Sequence, residues 1–172
     1  MARKSPQVSA RAYVVDTSYL LELYRVPGCF DEAKATAIRQ RWGDALRRRD
    51  RLYVPLGCIF ETGNHVADLK VPEQRKRWAA ILRRDVESAI KLARPFVVID
   101  APPRDELPPL IIEWEKHHVA HGRPRGLVDV ATIVAAKRIK AERGFALMGV
   151  HIWTRDRALK GAEPDPEQDP VL

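Results

Sequence analysis

Short apolar runs, rich in β-branched and aromatic residues, alternate along the chain with longer stretches of helical periodicity. Tyr13-Val-Val15, Leu52-Tyr-Val54, Phe96-Val-Val-Ile99 and Val150-His-Ile-Trp153 read as four strands. Between them the apolar positions recur every three to four residues. A short helix is expected over Tyr19–Tyr24 behind the capping pair Thr17-Ser18, and longer ones over Asp31–Arg49 and from Pro55 to about Leu69. In the stretch Pro72–Ala93, Trp78, Ile81, Leu82, Val86, Ala89, Ile90 and Ala93 form an apolar stripe, with Arg75, Lys76, Arg83 and Arg84 off it. Further helices are expected at about Leu110–His121 and at Leu127–Arg143, separated by Gly126. Ala101–Pro109, with its four prolines, reads as a connection that cannot continue regular structure. Strands alternating with helices predict an α/β fold, a three-layer α/β/α sandwich around a central parallel sheet.

A chain of 172 residues, 45% hydrophobic, can bury one proper core, so residues 1–160 are expected to form one domain. The acidic, proline-rich end at 161–172 reads as a flexible tail. The 30 Lys and Arg outnumber the 23 Asp and Glu, a net charge of +7, which favours a polyanion as partner. Arg47, Arg48, Arg49 and Arg51 are the densest basic cluster. Two well-separated cysteines, Cys29 and Cys58, support neither a disulfide framework nor a cysteine zinc site and suit a reducing cytoplasmic setting. Asp16 and Glu22 interrupt what would be a signal-peptide core, and no apolar run reaches 18 residues, so neither export by that route nor a membrane span is expected.

Four carboxylates stand where their neighbours should be buried. Asp16 ends Tyr-Val-Val, Glu61 follows Leu56-Gly-Cys-Ile-Phe60, Asp129 interrupts Leu127–Ala136, and Asp156 closes Val150–Arg155. A carboxylate out of water needs a hydrogen bond, a base or a cation. Helix capping is one outlet for Asp16, Asp129 and Asp156, and an arginine partner is one for Glu61. Ligands of parallel sheets bind beyond the carboxyl ends of the strands, where all four could meet. Meeting there, they would repel one another unless positive charge is supplied, and oxygen ligands suit Mg²⁺ or Mn²⁺. A metal-activated water beside a basic surface is the chemistry of phosphodiester cleavage.

The ordered set Val15-Asp-Thr-Ser18, Glu61-Thr-Gly-Asn64, Leu127-Val-Asp-Val-Ala131 and Trp153-Thr-Arg-Asp156 resembles the PIN domain, including the toxin ribonucleases of the VapBC toxin–antitoxin type. The resemblance spans about Ala12–Leu159. It implies an Mg²⁺- or Mn²⁺-dependent endoribonuclease acting on single-stranded RNA, with Asp16, Glu61, Asp129 and Asp156 as catalytic metal ligands and Thr17, Asn64 and Thr154 as supports. It also implies a small antitoxin partner and is compatible with a homodimer. A standalone RNA-processing nuclease of this family, or an inactive binding module of the same fold, is the alternative. Regions 28–50, 70–95 and 101–122 look longer and richer in arginine and tryptophan than in compact members.

Arg123 and Arg125, before the Asp129 helix, and Arg155 and Arg157, around Asp156, are expected to grip RNA phosphates beside the site. His117, His118 and His121 fit a solvated helix end better than a zinc site. Trp42, Trp78, Trp114 and Trp153 are expected in the core or an interface. The chain has no GxxxxGK[ST] or GxGxxG loop, which leaves nucleotide-triphosphate and dinucleotide sites without support.

Overall fold

A computed structural model describes residues 11–119, 124–142 and 149–169, without the side chains of His118 and Val119. Its elements follow in the order β1 (Ala12–Val15), α1 (Thr17–Tyr24), α2 (Glu32–Arg48), β2 (Arg51–Pro55), α3 (Leu56–Ala67), α4 (Pro72–Leu92), β3 (Val97–Ile99), α5 (Leu107–Val119), α6 (Leu127–Ala141), β4 (Val150–Trp153) and α7 (Arg157–Lys160). The four strands form one parallel sheet in the order β3-β2-β1-β4. The expected strand positions hold.

Alternation along each strand assigns the two faces. Tyr13 and Val15 join Leu52, Val54 and Trp153 beneath Tyr19, Leu20, Ile38, Trp42, Cys58, Ala89 and Phe96, residues carried by α1, α2, α3, α4 and the approach to β3. Ala12, Val14, Val150 and Ile152 face Ile133, Ala136 and Ile139 of α6 and Leu159 of α7. The result is the three-layer α/β/α arrangement, with both sheet faces covered as parallel strands require. No helix among the described residues is long and apolar enough to cross a membrane.

Three expectations change. Pro108 and Pro109 lie inside the first turn of α5, which begins at Leu107. The N–H groups of a first turn have no intrahelical partner, so proline costs little there. Ile90 of the α4 stripe is 72% exposed, because only the Ala89 side of that last turn meets the core.

The third change is the tail, which lies against β4 over 161–169. Asp165 Oδ2 accepts from Val150 N (2.7 Å), Glu163 Oε2 accepts from Ile152 N (2.8 Å), and Asp165 N donates to Val150 O (3.2 Å). β4 is the outer strand beside β1, and these groups satisfy an edge that would otherwise be open. Beyond them Asp169 accepts from Tyr19 Oη (3.1 Å) and pairs with Arg41 (2.6 Å). Acidic composition suggested a solvated end, but its carboxylates find buried donors.

Candidate active site: four carboxylates at the carboxyl edge

In the order β3-β2-β1-β4 the chain moves outward from β1 on one side, then returns to add β4 on the other. The carboxyl ends of β1 and β4 therefore flank the point where the winding reverses, the place where parallel sheets leave a crevice. Asp16 follows β1 directly, and Thr154, Arg155 and Asp156 follow β4.

Asp16 is only 5% exposed. Its Oδ2 accepts from Ser18 N (3.2 Å), Ser18 Oγ (2.7 Å) and Thr154 Oγ1 (3.0 Å), while Oδ1 has no donor among the described residues. It caps α1 and still presents an oxygen. Thr154 Oγ1 also accepts from Asp156 N (3.0 Å), so one buried hydroxyl ties the two acidic residues together. Asp156 caps α7, its Oδ1 accepting from Ala158 N and Leu159 N.

The other two carboxylates arrive on helices. Glu61 Oε2 accepts from Thr17 Oγ1 (2.7 Å), and Asp129 Oδ2 accepts from Gly126 N (2.9 Å). Their approach depends on Gly57, one turn before Glu61, where an added Cβ would lie 3.3 Å from Val128 Cγ2. Without a side chain there, α3 can close on the first turn of α6. Below them the Cys58 thiol is pushed up to about 12, first by burial and then by the negative charge of Asp16. It is an uncharged floor.

The four carboxylates lie near enough for their charges to act on one another. Burial raises the Asp129 carboxyl above its ordinary value; the Gly126 N–H opposes the rise, and the charges of Asp16, Asp156 and Glu61 add to it. Among the described residues no lysine or arginine pairs with Asp16, Glu61 or Asp129, so Glu61 lacks the arginine partner that would have explained it structurally. No three His, Cys, Asp or Glu side chains among the described residues are grouped tightly enough to enclose a metal ion by themselves. Mg²⁺ commonly takes one or two carboxylates and keeps its other waters, and the unengaged oxygens of Asp16, Glu61 and Asp129 suit that mode rather than a closed protein cage.

The supporting residues divide. Thr17 and Thr154 bond the carboxylates, whereas Asn64 is exposed and its side chain has no hydrogen bond among the described residues. Ser18, expected only to cap a helix, is a further support. A serine two positions after an N-cap aspartate can turn its hydroxyl back onto that aspartate, which was the available signal.

The arginine rim is also redrawn. Arg155 forms an ion pair with Glu22, which is fully buried and also accepts from Asp31 N (2.9 Å). Its backbone N donates to Ser18 Oγ (2.9 Å), so it holds the β4–α7 loop on α1. Arg125 Nη2 donates to Ala158 O (3.0 Å), and Arg157 is exposed. Arg123 and His121 lie outside the described residues. Trp42 and Trp153 are in the core, Trp78 Nε1 donates to Tyr24 O (2.9 Å) and Trp114 Nε1 to Arg125 O (3.1 Å).

Compared with known proteins, the chain matches no family model and no curated protein significantly. Its functional reading rests on the carboxyl-edge geometry.

Proposed function

We propose that this chain is a Mg²⁺- or Mn²⁺-dependent endoribonuclease of PIN-like type, cleaving phosphodiester bonds of single-stranded RNA. The observation that carries the reading is the placement of Asp16 and Asp156 after β1 and β4 at the switch point of a parallel sheet, with the charges of Asp16, Asp156 and Glu61 acting on Asp129 and with Asp16, Glu61 and Asp129 lacking a basic partner among the described residues. Asp16 and Asp129, with Glu61 beside them, would hold the ion. Bound there, a divalent cation supplies a water of lowered pKa and positive charge for the transition state. Thr154 and Ser18 fix Asp16 through Oδ2, leaving Oδ1 without a donor among the described residues, and Thr17 orients Glu61.

Purified chain is expected to cleave single-stranded RNA in Mg²⁺ or Mn²⁺ and to stop in excess EDTA. Asp16→Asn and Asp129→Asn should each lower cleavage by more than about 100-fold, because each removes a carboxylate that would hold the cation whose charge stabilises the transition state, with circular dichroism unchanged. Full activity of both variants, or activity in EDTA, overturns the proposal. A readout independent of turnover is thermal stability. Mg²⁺ at about 100 times its dissociation constant should stabilise the fold by about 2.7 kcal/mol, and Asp16→Asn should abolish that gain.

The resemblance extends the proposal to the toxin of a toxin–antitoxin pair, its small antitoxin covering the acidic edge and a second copy of the chain completing a homodimer. Induction should arrest growth, and co-expression of an adjacent short reading frame should relieve the arrest. Unimpaired growth would favour an RNA-processing role.

A further inference from the structure

The amino edge of the sheet, opposite the carboxylates, carries an open cleft of about 1090 Å³. It lies where two helix-to-strand turns run side by side, α2 into β2 and α4 into β3, because β2 and β3 are paired. Leu52 and Phe96, both 2% exposed, form its buried floor, with Tyr53 and Pro95 half-buried along it. Arg49, Arg51 and Arg94 line it, all exposed.

The one acidic lining residue is already engaged. Asp50 Oδ2 pairs with Arg48 (2.8 Å) and Oδ1 accepts from Arg11 N (3.2 Å). The helix ends do not call for Arg49 or Arg94 either, since Arg47 and Arg48 occupy the last turn of α2 and Lys91 that of α4. Arg49 and Arg94 form no ion pair among the described residues. The cleft thus sets two uncommitted guanidinium groups over an apolar floor whose Phe96 is too buried for base stacking, leaving a basic groove that can track the backbone of a single strand.

We propose that this cleft is a second RNA-binding surface, taking the sugar–phosphate backbone of a single strand between the ends of α2 and α4. The inference rests on the nuclease reading for its role: an acidic site repels the polyanion it cleaves, and an anchor at the far edge keeps the strand on the protein. The five residues of β2 put the two edges about 16 Å apart, so a long strand can engage both and a very short one cannot.

The test measures binding of a long fluorescent single-stranded RNA across a salt series, in the Asp16→Asn background to prevent cleavage. Adding Arg49→Ala and Arg94→Ala should lower the slope of log affinity against log salt by about 1.4, roughly 0.7 for each phosphate no longer neutralised. Lysine at both positions should keep the slope, which separates lost charge from damaged folding. In the otherwise wild-type chain the alanine pair should slow cleavage of long RNA and leave a dinucleotide unaffected.

An unchanged salt slope overturns the second surface even if the chain cleaves RNA. A slope that falls in a chain that never cleaves supports the surface and overturns the nuclease reading. Binding of anionic lipid vesicles through Arg49 and Arg94, with no RNA binding, would also overturn it.

Discussion

Arg155 carries a structural role that its sequence position did not reveal. Expected beside Asp156 as a phosphate contact, its guanidinium also compensates a glutamate that is fully buried. Breaking such a pair from one side leaves an uncompensated charge in the core. Arg155→Met should therefore cost about 3 kcal/mol and lower the melting temperature by about 6–12 °C, measured by calorimetry. Replacing Glu22 by Gln in the same chain should recover most of the loss. Arg157 has the opposite character: it is exposed, and Arg157→Ala should lower the salt slope of RNA binding by about 0.7 without moving the melting temperature.

Helix α3 brings Glu61 to the site only because Gly57 lets it approach α6. Gly57→Leu should push the two helices apart at a cost of about 1–3 kcal/mol, and cleavage should fall by more than that stability loss explains. A matched control with similar destabilisation at Ile38, far from the carboxyl edge, separates the two effects. The tail makes a comparable contribution at β4. Burial opposes charge on Asp165, but the Lys140 ammonium and the Val150 N–H outweigh it, and the carboxyl sits below its ordinary value of 3.8. A carboxyl lowered by folding stabilises the native state fully above its unfolded pKa, and that contribution is lost as pH falls through the lower folded value. Hydrogen exchange at Val150 N should accordingly accelerate relative to the core in acid, and Asp165→Asn should already show part of that acceleration near neutral pH.

Taken as one body, the protein mixes both signs of charge at each edge of the sheet. Asp16 and Asp156 follow the carboxyl ends of β1 and β4, while at the amino edge Arg11, Arg51 and Arg94 stand at or just before β1, β2 and β3, beside the carboxylates Asp50 and Asp165. The net charge of +7 therefore says little about the site itself. On the proposed nuclease reading the carboxyl edge would take a cation before a phosphate, so Mg²⁺ should tighten short-oligonucleotide binding, an effect Asp129→Asn should remove in a filter-binding assay.

Much of the architecture was legible from the chain. Four β-branched runs between helical stretches specify a parallel α/β sheet, because strands buried on both faces lack a polar alternation and the intervening helices must cover them. The same logic exposed Asp16, Glu61, Asp129 and Asp156, since a carboxylate among residues destined for burial must have a partner. What spacing could not reveal was which partner each charge would meet. Glu22 stood out in the sequence only as a charge that breaks a signal-peptide core until the fold placed Arg155 against it, and the acidic tail looked solvated until the open edge of β4 offered its N–H groups. Electrostatic partners and edge contacts depend on distances between residues far apart in the chain, and only the packed sheet decides those distances.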